Sequence, residues 1–248
     1  MFSNINGIFI KVPDSFAGIL PVSPHAERFD FEPFAFSGIQ KVVRPGDVVF
    51  DLGASYGVMS VLMAKLVGSS GKVFSFEANE DVFPYQKQLS TVNGLQDIIT
   101  FHHCLIGDVS GSEEDFYVIP SFQSVASTRN SEILKAHNDA RKTKVQTLAI
   151  DDFCNNTGVI PNAIKIDIEG AEYIALKGME NTLRKHRPKL IIETHSFEID
   201  GIGGSVKELA YFLEDLGYSL FDLNNDCSTE AKDYTEKYFN KIGNLLCT

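Results

Sequence analysis

Three acidic residues follow short apolar runs, each placed to meet a ligand. Asp51 closes Val48-Val49-Phe50, Glu77 closes the run Lys72 to Phe76, and Asp167 follows Ile164-Lys165-Ile166. Gly53 and Gly57 come directly after Asp51. They permit a tight turn and a close backbone approach to a bound group. Glu77 lies 20 residues beyond Gly57, where an acid accepts hydrogen bonds from ribose hydroxyls in doubly wound folds. The charge at Asp51 narrows the nucleotide. A dinucleotide rests its pyrophosphate on the helix N-terminus, where a carboxylate repels it. S-adenosylmethionine has no phosphate, and its sulfonium and ammonium suit an acid at the strand end. The glycines also depart from G-x-G-x-x-G, since only Gly53 and Gly57 are present. The alternatives are a helix N-cap for Asp51 and a solvated turn residue for Glu77.

A second acid-rich stretch is Ile164-Lys-Ile-Asp167-Ile-Glu169-Gly170-Ala-Glu172. Buried charges are costly, so these acids are expected at the carboxyl end of a strand, facing the same crevice as Asp51 and Glu77. The other reading is a capped helix start, because acids favour a helix N-terminus.

These residues need a frame of alternating strands and helices. Strands are expected at Val48–Asp51, Lys72–Glu77, Ile98–Leu105, Ala163–Ile168 and Leu190–Glu193. Helices are expected at Val58–Val67, Phe83–Asn93, Ala171–Lys185 and Ser205–Leu216. The last has a capping box of Ser205 and Glu208, a stripe of Val206, Leu209, Leu213 and Leu216, and Gly217 at its end. Glu114–Val118 and Val145–Leu148 read as an inserted pair. Phe29, Phe31, Phe34 and Phe36 alternate with other residues, as in an N-terminal strand or cap. The chain is expected to be one domain, residues 46–248, preceded by a cap segment, residues 1–45.

Together DLGASYG, FEAN, KIDIEGAE and LIIETH resemble the FkbM family of S-adenosylmethionine-dependent methyltransferases, from about Glu32 to Leu223, with KIDIEGAE the most specific element. The resemblance implies a Rossmann-like class I methyltransferase fold, α/β, with a mostly parallel seven-stranded sheet and helices on both faces. It implies O-methylation of a hydroxyl on a sugar, glycan or polyketide-type natural product. It also implies that Asp51, Gly53 and Glu77 contact the cofactor and that residues 105–108 border the adenine. With their neighbours, the expected cofactor-binding set is Asp51, Gly53, Ala54, Ser55, Gly57, Glu77, Ala78, Asn79, Leu105, Ile106 and Asp167. Ser55 stands where Asn is commoner in the family, and Tyr56 is bulkier than usual there.

Methyl transfer from a sulfonium is an in-line displacement, and a hydroxyl acceptor needs a base or a metal to shed its proton. The catalytic candidates are His195, Asp167 and Glu193, with Glu169 beside them. Asp167 with Glu193 or His195 could also hold Mg²⁺, but no metal is expected. His102 and His103 lie on a strand and read as structural. Ser196–Gly204 could be a lid, and Ser121–Asn138 the opposite rim.

The chain has 248 residues, 44% hydrophobic and 22% charged, with a net charge of -11. That balance argues against a nucleic-acid partner, and no apolar run reaches a membrane span. Four scattered cysteines form no C-x-x-C pair. No signal peptide is legible, and a reduced cytoplasmic setting is expected. The partner is then a small-molecule acceptor, with the oligomeric state unread. The rival readings are an NAD-dependent epimerase or dehydrogenase, for which Tyr173 and Lys177 have suitable spacing, and a non-catalytic cofactor-binding protein.

Overall fold

Apolar runs too short for a helix become strands here, and longer stretches with a 3.6-residue stripe become helices. The computed structural model describes residues 2–16, 19, 29–119, 139–196 and 202–248. The chain opens with a hairpin, β1 (Phe2–Ile5) and β2 (Ile8–Lys11), and a helix, α1 (Pro33–Val42). Strand and helix then alternate through β3 (Val48–Leu52), α2 (Val58–Val67), β4 (Lys72–Glu77), α3 (Phe83–Val92) and β5 (Ile99–His103). A small three-stranded unit follows, formed by β6 (Leu105–Ile106), β7 (Glu113–Val118) and β8 (Arg141–Leu148). Next come α4 (Ile150–Thr157), β9 (Ala163–Ile166), α5 (Glu172–Lys177), α6 (Glu180–His186) and β10 (Lys189–His195). The chain finishes with α7 (Val206–Asp215), β11 (Leu220–Asp222), β12 (Cys227–Thr229), α8 (Ala231–Lys237) and β13 (Ile242–Cys247).

The main sheet runs β12-β11-β13-β10-β9-β3-β4-β5. Five neighbours, β10, β9, β3, β4 and β5, are parallel, and β13 inserts antiparallel between β10 and β11. It has the seven strands expected from sequence plus a short edge strand, β12. The chain passes from β3 outward to β4 and β5, then returns to the other side of β3 as β9 and β10. The crevice where the order reverses, at the carboxyl edge, is where open α/β sheets bind ligands.

Strand parity decides which side chains enter which core. Phe50, Leu52, Ile164, Ile166, Leu190 and Ile192 pack on one face against α4 to α8. Val49, Ala163 and Ile191 pack on the other, with α1 and α2. Alternation by two puts Asp51, Lys165 and Glu193 on this second face. The parallel register also sets Asp51 beside Lys165. Parity and register thus gather these charges before any specific contact is considered.

Several elements differ from the sequence expectation. Pro33 at the first helical turn starts α1, so Phe34 and Phe36 lie on a helix and not on an alternating strand. The stretch 171–185 is two helices, because Gly178 lies against the backbone of the β6–β7 connection. A Cβ at Gly178 would stand 2.1 Å from the Gly107 carbonyl oxygen. The stretch 98–105 divides at Cys104, whose N–H donates to the Glu77 carbonyl (3.0 Å). The helix α7 keeps its expected cap, with Glu208 N–H donating to Ser205 Oγ at 3.1 Å. Ser121–Asn138 and the middle of the 196–204 loop lie outside the described residues.

Candidate active site

The turn after β3 is shaped by one steric fact. Gly53 adopts φ +82°, and a Cβ there would lie 1.8 Å from the Asp167 carbonyl oxygen. The β3 and β9 ends therefore meet backbone to backbone. Gly53 and Ala54 N–H groups donate to the Phe76 carbonyl (3.0 and 3.1 Å), which pins the turn to β4. Ser55 has φ +47°, the left-handed region in which Asn is far better tolerated than most residues, so the family's commoner Asn has a backbone reason. Gln86 on α3 donates to the Ser55 carbonyl at 2.6 Å. Gly57 starts α2 at φ +82°, packed on Gln86.

Glu77 closes the pocket from β4. Its Oε2 accepts from Ser55 N–H (2.8 Å) and its Oε1 from Asn79 N–H (2.7 Å). Burial pushes this carboxyl above its ordinary range, against the pull of these backbone donors. The carboxylate is thus held in one orientation by the two loops it joins.

These turns enclose a cavity of about 360 Å³, within the size range of small-molecule sites. Gly53, Ala54, Ser55, Glu77, Ala78 and Asp167 line it, and Leu105 and Ile106 give it an apolar wall. Asp51, Gly57 and Asn79 are set back behind that lining. The Asn79 side chain instead accepts from Asp81 N–H (3.1 Å), capping the turn before α3. Asp51 is fully buried. Its Oδ2 accepts a 2.5 Å hydrogen bond from Ser60 Oγ on α2, and its Oδ1 lies 4.0 Å from Lys165 Nζ.

Lys165 is the buried cation of the site. Its side chain is 2% exposed, and its Nζ lies 3.0 Å from Asp167 Oδ2 and 3.4 Å from Glu32 Oε2. Burial alone would lower its pKa, but Asp167, Glu32 and Asp51 hold it well above the usual lysine value. Burial pushes Glu32 up to about 7 despite the pull of Lys165. Asp167 resists its own burial and stays below the ordinary range, because Lys165 and His195 face it. A lysine between isoleucines in a strand was a legible signal for this cluster. Glu32 was not foreseen, since nothing local marks it.

His195 ends β10 and faces three carboxylates, Glu172, Glu169 and Asp167. Its Nδ1 lies 2.8 Å from Glu172 Oε1. Its Nε2 lies 3.5 Å from Glu169 Oε2 and 3.8 Å from Asp167 Oδ1. Burial would lower its pKa, but Glu172, Asp167 and Glu169 raise it to about 10. Glu172 on Nδ1 turns Nε2 toward Glu169 and Asp167. Glu169 lines the cavity and is pushed up by burial to about 7, against the pull of His195. Burial, reinforced by Asp167, also raises Glu193. His102 and His103 serve packing, as expected. His102 stacks on Phe76 at 5.0 Å between centroids, and His103 Nε2 lies 2.9 Å from the Ala78 carbonyl. Tyr173 packs edge-on against Phe212, and Lys177 lies over the Tyr173 ring, so that pair is outside the cavity lining.

Comparison with known proteins places this arrangement. Residues 51–220 match the Methyltransferase FkbM domain. The hexuronic acid methyltransferase AglP of Haloferax volcanii is 27% identical over 193 residues, covering 72% of this chain and 74% of its own. The methyltransferase FkbM of Methylobacillus flagellatus KT superimposes with a TM-score of 0.52 at 18% identity, covering 84% of this chain. The match covers 49% of that structure, so the chain spans about half its length. Fibrillarin of Aeropyrum pernix, crystallised with natively bound S-adenosyl-L-methionine, shares the fold with a TM-score of 0.50 at 10% identity. That match covers 98% of this chain and 90% of fibrillarin.

Proposed function

The chain belongs to the methyltransferase FkbM family and is an S-adenosylmethionine-dependent methyltransferase, and from that premise we propose that it methylates a hydroxyl of a small sugar-type acceptor. The observation that carries this reading is the position of Asp167 and Glu169. Both line the cofactor cavity, and Glu169 holds a pKa of about 7. A carboxylate poised near neutrality is what proton removal from a hydroxyl asks for.

The cavity suits the cofactor on its own chemistry. The fixed Glu77 carboxylate fits a ribose diol. Ala78, Leu105 and Ile106 give an apolar wall for adenine. Gly53, Ala54 and Ser55 line the far side of the turn, while Gly57, Asn79 and Asp51 act from behind, Asp51 by holding Lys165. Asp167 suits the cationic end, and Lys165 suits its carboxylate. When bound there, S-adenosylmethionine supplies an electrophilic methyl group whose carbon–sulfur bond breaks as a carbon–oxygen bond forms, leaving the electron pair on sulfur.

The remaining work falls to this chain's residues. Glu169 takes the hydroxyl proton. Asp167, held ionised by Lys165, aligns the acceptor. His195 stands between Glu172 and the pair Asp167 and Glu169 and fixes their spacing, and Glu193 adds negative charge at the same edge. The acceptor's hydroxyls, not a carboxylate, face these acids. The relative's hexuronic acid substrate makes sugars the first acceptor class to test. Residues 1–45 act as a cap on a single domain, and the acceptor is a soluble small molecule in a cytoplasmic setting. Among the described residues, no helix is long and apolar enough to cross a membrane.

Calorimetric titration with S-adenosylmethionine and its demethylated product should give micromolar affinity, with no heat from NAD. Labelled methyl transfer to a panel of neutral sugars and hexuronic acids should then show base-stable ether products. Transfer only to amines, or to no hydroxyl at all, would overturn the acceptor reading.

A further inference from the structure

We propose that Asp167, Glu169 and His195 form a site for an oxygen-preferring divalent cation, Mn²⁺ or Mg²⁺, with Glu172 as the carboxylate that orients the histidine. The inference deepens the acceptor half of the reading above and rests on it for the cation's role, not for its existence.

The first argument is spacing. One donor atom from each residue lies within 4.8 Å of the other two. His195 Nε2 stands 3.5 Å from Glu169 Oε2 and 3.8 Å from Asp167 Oδ1. The edges of an octahedron with bonds of about 2.1 Å span roughly 3.0 Å, and its trans positions roughly 4.2 Å. The observed separations fall between those values.

The second argument concerns where the imidazole points. The His195 side chain is 6% exposed. Among the described residues, its Nδ1 is engaged by Glu172 at 2.8 Å, and no hydrogen bond reaches Nε2. Glu172 is fully buried, and its Oε1 also accepts from Gly170 N–H at 3.0 Å. A buried carboxylate on one ring nitrogen, with the other nitrogen aimed at two carboxylate oxygens, is the carboxylate–histidine–metal arrangement.

A third argument selects this cluster over its neighbour. Glu32, Asp167 and Glu193 also converge within 4.8 Å, but Lys165 Nζ already lies against Glu32 and Asp167 there. Asp167 divides its two oxygens accordingly, with Oδ2 on Lys165 and Oδ1 turned to His195. The two carboxylates suit Mn²⁺ and Mg²⁺, and the set holds no thiolate for a thiophilic metal. The cation's remaining positions would take acceptor oxygens and water. A monodentate Glu169 keeps its second oxygen for the proton.

The test is a titration of the full chain with Mn²⁺, read by loss of the free-ion electron paramagnetic signal and by calorimetry. One tight equivalent is expected. Glu169→Gln, whose side chain is partly exposed, and His195→Ala should each weaken it at least tenfold. Glu172→Gln should weaken it about 10–100-fold, the usual effect of a residue behind a ligand, with circular dichroism reporting its fold. No binding up to about 10 mM would overturn the proposal. So would several weak equivalents indifferent to all three substitutions, which is adventitious binding to an acidic chain. One bound Mn²⁺ in a protein that methylates no hydroxyl acceptor would sustain the site and overturn the acceptor reading.

Discussion

Replacing Lys165 by methionine removes the ammonium that three carboxylates share. Its contacts of 3.0, 3.4 and 4.0 Å correspond to roughly 4–5.5 kcal/mol of attraction each at an effective dielectric of ~20. Desolvation offsets most of that gain. The penalty for leaving buried charges without a partner is about 3–5 kcal/mol, and this loss is expected at pH 8. It should shrink in acid. Without Lys165, the carboxyls of Glu32, Asp51 and Asp167 all have raised folded-state pKa values. A raised carboxyl favours the folded state below its unfolded pKa and loses that advantage as pH rises through its folded pKa. The variant should therefore approach the parent near pH 5 and diverge from it above pH 7. Urea unfolding followed by circular dichroism at both pH values measures the difference. A variant within about 1 kcal/mol of the parent at pH 8, or a deficit equal at both pH values, would refute the cluster's energetics.

Glu77→Ala should weaken S-adenosylmethionine binding by about 1.5–3 kcal/mol, the worth of hydrogen bonds to a charged group; calorimetry giving an unchanged affinity would place the ribose elsewhere. Gly53→Ala combines a φ of +82° with a 1.8 Å clash on the Asp167 carbonyl, so a stability loss of at least about 3 kcal/mol is expected in chemical denaturation. Turnover per bound substrate should rise with pH through about 7 as Glu169 ionises, and Glu169→Gln should flatten that limb while lowering the rate about 10²–10⁴-fold. Because burial raises Glu169, its ionisation costs stability between its unfolded value and about 7. At pH 8 Glu169→Gln should accordingly be the more stable protein by about 1 kcal/mol, a figure discounted for its exposure; thermal unfolding decides.

The turn after β3 was legible because its residue types are constrained by backbone geometry. Only glycine fits the φ of Gly53, and an acid ending an apolar strand has few bland explanations. The strands β3, β4, β9 and β10 were legible as apolar runs, and α2 and α7 from their end signals. The charge cluster around Lys165 and His195 was harder, because charge state depends on neighbours distant in sequence. Glu172, which engages His195, sits 23 residues away on another element. Glu32 comes to Lys165 from the segment before α1, and α1 itself was obscured by alternating phenylalanines. The break at Gly178 is set by a tertiary contact with Gly107, which no local pattern records. The last strands gain their identity from pairing, β13 with β10, β11 with β13 and β12 with β11.

The contact between Gly53 and the Asp167 carbonyl carries a consequence for redesign. The turn after β3 and the loop after β9 share one van der Waals surface, although more than a hundred residues separate them in sequence. Neither can be transplanted alone. A chimera that imports one loop from a relative inherits a mismatch at that contact. The workable unit of exchange is the pair, so libraries aimed at new acceptors should vary the two segments as a single block and draw both from the same parent.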